Sequence, residues 1–262
     1  MFERHLKRDR YFAEQVYTTE KYVIPFITKV MLLNADTTVL EIGCGEGGNL
    51  KPFLDMGCTV TGVDYSTSKI ELAVQFFQDH PNKDKISLVR DDIYNSNGKY
   101  NGCFDLIYMR DVIEHIHDQD RFMEFVKPML RPGGMIFFGF PPWQNPFGGH
   151  QQICKNPVVS KLPFIHLLPY SVYKGLLKMA GEPELRVNNL LEIKETGITI
   201  ERFEGILKNK GYSIKRQVLF FINPNYEVKF GLKPRVLGHT LSSVKVLRNF
   251  YTTSAYYLVT PA

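Results

Sequence analysis

The sequence predicts an α/β fold built on a doubly wound parallel sheet. Three observations carry that expectation. Short apolar runs of strand length alternate with helix-like stretches from Thr38 to Phe140. A glycine-rich turn, Gly43-Cys44-Gly45-Glu46-Gly47-Gly48, follows the first of these runs and leads into a helix-like segment. The 262-residue chain is 44% hydrophobic and 23% charged, an ordinary globular balance that can bury a core without disulfides or a structural metal.

Taken in order, Met1–Leu33 reads as helical. Tyr22, Phe26, Ile27, Val30 and Leu33 recur at helical spacing, and Pro25 is expected to kink the run. Thr38–Ile42 is a buried strand, Leu50–Asp55 a short helix and Thr59–Val63 a second strand. Lys69–Asp79 is a helix with Ile70, Ala73, Val74 and Phe77 on one face. Ile86–Val89 and Phe104–Met109 are the third and fourth strands. Asp120–Leu130 is helical, and Arg131-Pro132-Gly133-Gly134 turns the chain into a fifth strand, Met135–Phe140. The alternation then breaks. Pro141–Glu195 is rich in proline and aromatic residues and reads as an excursion from the core, with an amphipathic helix at Tyr170–Met179. From Thr199, the stripe Ile200, Phe203, Ile206, Leu207 marks a helix ending at Gly211. Ser213–Ile222 and Thr253–Thr260 read as strands. Without a helix-length crossover between them, they are expected to pair antiparallel.

The net charge is +5, and the excess is uneven. Lys208, Lys210, Lys215, Arg216, Lys229, Lys233, Arg235, Lys245 and Arg248 have few acids near them in sequence. They form a solvated surface, or face an anionic acceptor or membrane headgroups. Without aromatic residues interleaved in a recognisable motif, no specific nucleic-acid partner is expected. Cys44, Cys58, Cys103 and Cys154 form no CxxC pair and read as small core residues of a reducing compartment. The start MFERHLKRDR is too charged for a signal peptide, and no uncharged apolar run reaches transmembrane length. The expectation is a cytoplasmic protein of unknown oligomeric state, with peripheral membrane contact left open.

A strand, closely spaced glycines and a helix bring a ligand up to the backbone at a helix N-terminus. Gly43, Gly45, Gly47 and Gly48 satisfy both G-x-G-x-G and G-x-G-x-x-G, and Asp64 follows at the distance expected of a ribose-binding acid. Those features suit a dinucleotide and S-adenosyl-L-methionine alike. Glu41, two residues before Gly43, favours a cationic cofactor over a pyrophosphate. Asp91-Asp92-Ile93 ends the third strand, where an acid can accept from an adenine amino group.

Five motifs follow one another in order: Val39-Leu40-Glu41-Ile42-Gly43-Cys44-Gly45-Glu46-Gly47, Gly62-Val63-Asp64-Tyr65-Ser66, Phe104-Asp105-Leu106-Ile107, Val112-Ile113-Glu114-His115-Ile116 and Leu130-Arg131-Pro132-Gly133-Gly134. Across Thr38–Phe140 the chain resembles the class I S-adenosylmethionine-dependent methyltransferases related to the ubiquinone and menaquinone pathways. The resemblance implies a Rossmann-like seven-stranded doubly wound sheet with its last strand antiparallel. It implies one methyltransferase domain: a helical lid (1–33), a cofactor-binding core (34–140), an acceptor-side insertion (141–195), and a C-terminal helix with antiparallel strands (196–262). It further implies that Gly43, Cys44, Gly45 and Gly47 contact the methionine moiety and that Asp64 binds the ribose. Tyr65 would pack on adenine, and Asp92 would hold the adenine amino group with Ile93 beside the ring. Asp91 takes the place of Asp92 if the register is offset by one. Met109 and Arg110 would lie under the methionine end, although Arg110 departs from the small or polar residue expected there.

Methyl transfer from a sulfonium requires alignment, and a base only where the acceptor must lose a proton. His150, just past the fifth strand, is the candidate base. Asp111, Glu114 and His115 form an i, i+3, i+4 set. It reads as a capping box, and alternatively as the divalent-cation set of some quinone-pathway O-methyltransferases. Phe140-Pro141-Pro142-Trp143 reads as the floor of an acceptor pocket or a rigid exit from the sheet. The expected function is transfer to a small-molecule acceptor, an oxygen on a lipid-like, aromatic or glycan-linked substrate. RNA or protein is the alternative target. A non-catalytic cofactor-binding protein and a nicotinamide oxidoreductase are the alternatives of another class.

Overall fold

The computed structural model describes residues 8–262. The first seven residues of the expected N-terminal helix lie outside them. Helix α1 (Arg8–Thr18) passes through a single π-turn, Thr19–Val23, into α2 (Ile24–Ile27). The expected proline kink lies here. Pro25 has no N–H to donate, and the preceding turn widens so that the Ile24 N–H reaches the Thr19 carbonyl.

Strand β1 (Thr38–Ile42), α3 (Lys51–Asp55), β2 (Thr59–Asp64), α4 (Thr67–Phe77), β3 (Ile86–Arg90), β4 (Phe104–Arg110), α5 (Gln119–Val126) and β5 (Leu130–Phe140) follow in the predicted order. The insertion contains α6 (Tyr170–Met179) and α7 (Glu184–Thr196). Then come α8 (Ile200–Asn209), β6 (Tyr212–Ile222), α9 (Asn225–Phe230), β7 (Arg235–Val236), α10 (His239–Ser243), α11 (Leu247–Tyr251) and β8 (Ser254–Pro261). The sheet order is β3-β2-β1-β4-β5-β8-β6-β7. The first five strands are parallel, and β8 pairs antiparallel with both β5 and β6, as expected. The structure departs from the sequence reading in several places, among them the helix expected over Asp120–Leu130, which ends at Val126, and the short helices α9, α10 and α11, which were not expected. The sheet has eight strands, because Arg235–Val236 adds a short antiparallel edge to β6. Strand β5 starts at Leu130, so the Arg-Pro-Gly-Gly segment belongs to it behind a register shift. Helix α7 was not expected. It buries Val187, Leu190, Leu191 and Ile193 while Leu185 faces solvent, so no single apolar stripe marks it.

The strands alternate strictly between two cores. Leu40, Ile42, Ile107, Met109, Phe138 and Tyr257 face the side covered by α5 and α8. Val39, Leu106, Tyr108, Phe137 and Tyr256 face the side covered by α2, α3 and α4. Cys44, Cys58 and Cys154 are buried as free thiols, and Cys103 is partly so. The insertion has its own small core of Cys154, Val159, Tyr173, Leu177, Val187, Leu190, Leu191 and Ile193. The apolar residues of Val158–Ala180 therefore pack on one another or face solvent, and they give no support to an aromatic acceptor pocket.

The N-terminal segment is strapped down from the far end of the chain. Glu227 of α9 accepts hydrogen bonds from the hydroxyls of Tyr17 (3.0 Å) and Tyr22, and lies 3.0 Å from Lys21 Nζ. Tyr22 and Lys21, through their hydrogen bonds, pull the Glu227 carboxyl from its ordinary 4.5 down to about 2. A depressed folded-state pKa stabilises above the unfolded value, and that stability is lost as the pH falls through the folded value. Between pH 4.5 and 2 the melting temperature is therefore expected to fall less steeply in Glu227→Gln than in the parent. Parallel slopes in thermal melts across that window would exclude the strap as an acid-sensitive contact.

Candidate active site

Loops at the carboxyl ends of β1, β2, β3 and β4 build one continuous site. Gly43 and Cys44 donate their N–H groups to the Val63 carbonyl at 2.8 and 3.2 Å. Gly43, Gly45 and Gly47 have φ of +73°, +56° and +80°, which other residues adopt only with strain. Asp64 is buried, and its carboxylate accepts from Gly45 N–H and Ser66 N–H, each at 2.9 Å. Lys69 Nζ stands 3.9 Å away. At the end of β3, Asp92 accepts from the Tyr94 N–H (3.0 Å), and Asp91 accepts from Asp92 N–H and Asn95 (2.8 Å each). Both acids still line the cavity.

Two cavities open on these loops. The larger, about 610 Å³, is bounded by Gly43, Asp64, Tyr65, Asp91, Asp92 and Ile93 on the sheet side. Asn189, Glu192, Ile193 and Thr196 of α7 form its cover. The smaller, about 190 Å³, lies between Gly43, Gly45, Asn49 and Arg110 below and Tyr11, Glu14 and Gln15 of α1 above. Gly43, Lys69 and Asp111 belong to both walls, so the cavities are two chambers of one cleft.

The predicted residues divide between wall and support. Gly43, Gly45, Asp64, Tyr65, Asp92, Ile93 and Arg110 line a chamber; Glu41, Cys44, Gly47 and Met109 stand behind the wall. Tyr65 is 82% exposed, free to fold onto a ring. Glu41 is buried, with Oε1 accepting from Asn49 Nδ2 at 2.7 Å and Oε2 unpartnered among the described residues. Burial pushes its carboxyl well above the usual range, and Asn49 and Arg110 pull it part of the way back. Arg110 reaches Asn49 Oδ1 at 3.3 Å. Lys69, Asn49 and the α7 cover were not singled out in the sequence. Asn49 follows the last loop glycine, and a polar residue facing back along β1 was the only signal available.

His150 was expected as the base, yet it lines neither chamber. Its ring packs edge-on to His115, centroids 5.2 Å apart, and His115 is the imidazole on the larger chamber's wall. Burial, then His115 and His166, push His150 down to about 3, and burial lowers His115 as well. The expected capping box does not form. Ile113–His115 is a 3₁₀ turn, and α5 begins later under an Asp118 cap that accepts from the Arg121 N–H. Glu114 is buried with both carboxyl oxygens unpartnered among the described residues, and burial, then Asp111, raise its pKa. Glu114, His115 and His150 each offer a donor atom within 4.8 Å of the others, a set that fits a divalent cation. Trp143 lines neither chamber. It packs over Gly197, where an added Cβ would lie 2.5 Å from the indole, so the Pro-Pro-Trp segment is the rigid exit from the sheet.

A family model described as a methyltransferase domain matches residues 12–149, more than half of the chain. The chain belongs to the methyltransferase-domain family. Members of this family take their methyl group from S-adenosylmethionine. Among curated proteins, a ubiquinone biosynthesis O-methyltransferase of Brucella anthropi is 34% identical over 100 residues, 38% of this chain and 39% of the relative. The alignment thus spans about two fifths of that relative's length. Among solved structures, a SAM-dependent methyltransferase of Thermotoga maritima aligns with a TM-score of 0.58 at 14% identity, covering 99% of this chain and 97% of the other. A geranyl diphosphate C-methyltransferase of Streptomyces coelicolor, solved with Mg²⁺, geranyl diphosphate and S-adenosyl-L-homocysteine, aligns at 0.54 and 14%, covering 90% and 77%. These two show the shared fold. In this methyltransferase domain the family match ends before α7, so the cover of the larger chamber lies outside it.

An added Cβ at Gly43 would stand 2.6 Å from Val112 Cγ2 at a φ of +73°. Gly43→Ala is expected to lose about 2 kcal/mol of stability from backbone strain and overpacking. An unchanged midpoint in urea would show that the loop can relax around a methyl group.

Proposed function

We propose that the chain transfers the methyl group of S-adenosylmethionine to an oxygen of a small-molecule acceptor. The observation that carries this reading is the wall shared by the two chambers. A ligand held by Asp64 and Asp92 in the larger chamber passes Gly43 and reaches the smaller one beside Arg110. In this reading Asp64 accepts from the ribose hydroxyls and Asp92 from the adenine amino group. Ile93 and Tyr65 sandwich the ring, and the N–H-rich glycine loop meets the methionine end. Glu41, hydrogen-bonded to Asn49, supplies a buried carboxyl beneath the methionine end of the donor.

The transfer is an in-line displacement. The acceptor oxygen forms a bond to the methyl carbon as the carbon–sulfur bond breaks. The sulfur keeps that electron pair and becomes neutral, and the acceptor's proton passes to a base. Holding the three atoms in line supplies much of the acceleration. His115, on the chamber wall, is the proposed proton acceptor, with His150 packed edge-on against its ring. The curated match to an O-methyltransferase supports oxygen as the acceptor atom. The donor set of Glu114, His115 and His150 favours a second reading in which a divalent cation there polarises an acceptor oxygen. Glu114 and both imidazoles would hold it.

Calorimetric titration should show affinity for S-adenosylmethionine and its demethylated product and none for NAD; the reverse pattern would sink the proposal. His115→Ala is expected to slow turnover by about 100-fold or more with cofactor affinity nearly unchanged. A parental rate in that variant would remove His115 from the chemistry. Turnover that survives a chelator would remove the cation. Radiolabelled methyl transfer into fractionated lysate identifies the acceptor, and label in RNA or protein would replace the small-molecule reading.

A further inference from the structure

Strand β6 ends at Ile222 and β8 begins at Ser254, which pairs with Phe220. Both points lie at the carboxyl edge of the sheet, the edge that carries the glycine loop. Residues 223–253 therefore leave and return beside the site, and Asn225 among them lines the smaller chamber. This excursion displays apolar side chains that a water-facing loop would not. Phe230 is 61% exposed, Val236 61% and Val246 60%, with Leu232 and Leu247 also exposed. Cations are interleaved with them. The side chains of Lys233, Arg235 and Lys245 are exposed and form no hydrogen bond or ion pair with any described residue. The only carboxylate between Asn223 and Thr253 is Glu227, and Tyr17, Tyr22 and Lys21 engage it.

The loop tip is held firmly. Val246 has a φ of +65°, a costly conformation for a β-branched residue. Its N–H donates to Glu201 Oε1 (3.1 Å), its carbonyl accepts from Asn249 Nδ2 (3.1 Å), and Arg248 pairs with Glu201 and Glu204.

We infer that residues 230–247 dock this protein onto an anionic lipid bilayer, with Phe230, Leu232, Val236 and Val246 entering the headgroup region while Lys233, Arg235 and Lys245 meet lipid phosphates. Apolar insertion plus cation–headgroup attraction is the physical signature of interfacial binding. A second copy of the chain fits less well, because a two-fold contact would set the same cations against each other. Nucleic acid fits less well because exposed valines and leucines give bases no stacking platform. The same excursion contributes Asn225 to the wall of the smaller chamber, so docking would bring that side of the cleft towards the membrane.

The full chain is sedimented with vesicles of phosphatidylglycerol and phosphatidylcholine in equal parts, and with phosphatidylcholine alone. Binding to the first and not the second is expected. The triple variant Lys233→Gln, Arg235→Gln, Lys245→Gln should weaken it by about 100-fold, and Val246→Asp should weaken it with all the cations retained. Melting temperature and S-adenosylmethionine affinity, read on the same samples, report whether each variant is folded. Three outcomes would overturn the inference: no binding to anionic vesicles, equal binding by the triple variant, or a concentration-dependent dimer that Val246→Asp abolishes in place of vesicle binding. The assay reads no turnover, so its failure leaves the methyltransferase proposal standing.

Discussion

Asp64 joins three loops through one residue. Its carboxylate accepts from Gly45 in the loop after β1 and from Ser66 in the loop after β2, and its main-chain carbonyl accepts from Asp91 after β3. A buried carboxylate without donors would cost several kcal/mol; two charge-assisted N–H bonds and the nearby Lys69 ammonium offset that. The constraint runs in both directions. Gly45 keeps its φ of +56° because its N–H is aimed at Asp64. Strand β2 can approach closely because Gly62 has no side chain where an added Cβ would lie 2.8 Å from Cys44 Sγ. Gly43, Tyr65, Asp92 and Ile93 of the larger chamber's wall lie within a few positions of these joined loops, and the loop after β4 adds Val112 and His115.

A second buried network continues beneath the smaller chamber and ties the N-terminal segment to it. Asn49 donates to Glu41, and its Oδ1 accepts from Thr19 at 2.9 Å and from Arg110 at 3.3 Å. Thr19 belongs to the π-turn that precedes Pro25, and its hydroxyl lies between Asn49 and the Tyr108 hydroxyl. Helix α1 lies directly on that loop. An added Cβ at Gly48 would meet Gln15 Oε1 at 2.6 Å, and Glu46 of the loop pairs with Arg8. An acid and a base that share one amide, with Glu41 Oε2 still unpartnered, form a polar floor suited to a ligand end carrying both charges.

The parts of this molecule that were legible in the sequence are those governed by local rules. Short, nearly continuous apolar runs marked β1, β4 and β5, because each is packed on both faces. The loop glycines and Asp64 were legible because only those residue types satisfy the turn and the neighbouring N–H groups. Burial and direction were not legible. His150 and His115 are separated in sequence by the whole of α5 and β5, and nothing local says which ring faces the chamber. The Asp111-x-x-Glu114 spacing suggested a cap, but Asp111 takes a φ of +55° and the chain makes a 3₁₀ turn, turning Glu114 inward. Helix α7 escaped notice because it is packed from two directions, against the insertion core and over the larger chamber.

The floor of the cleft and its covers have different origins. The floor is made by sheet loops locked together through Asp64 and Asn49, and an altered side chain there disturbs several loops at once. The covers come from elsewhere. Helix α7 belongs to an insertion with its own core, which leaves the sheet at Pro141–Trp143 and returns under Trp143 at Gly197. Its cross-contact to the loop after β4 includes the exposed pair His117–Glu192, at 3.1 Å a weak tie. The other cover is α1, held by Glu227 from the C-terminal excursion. Residues in such covers can change without straining the floor. The covering side chains thus come from α7, α1 and Asn225, where the residue pattern follows no rule shared with the glycine loop and Asp64.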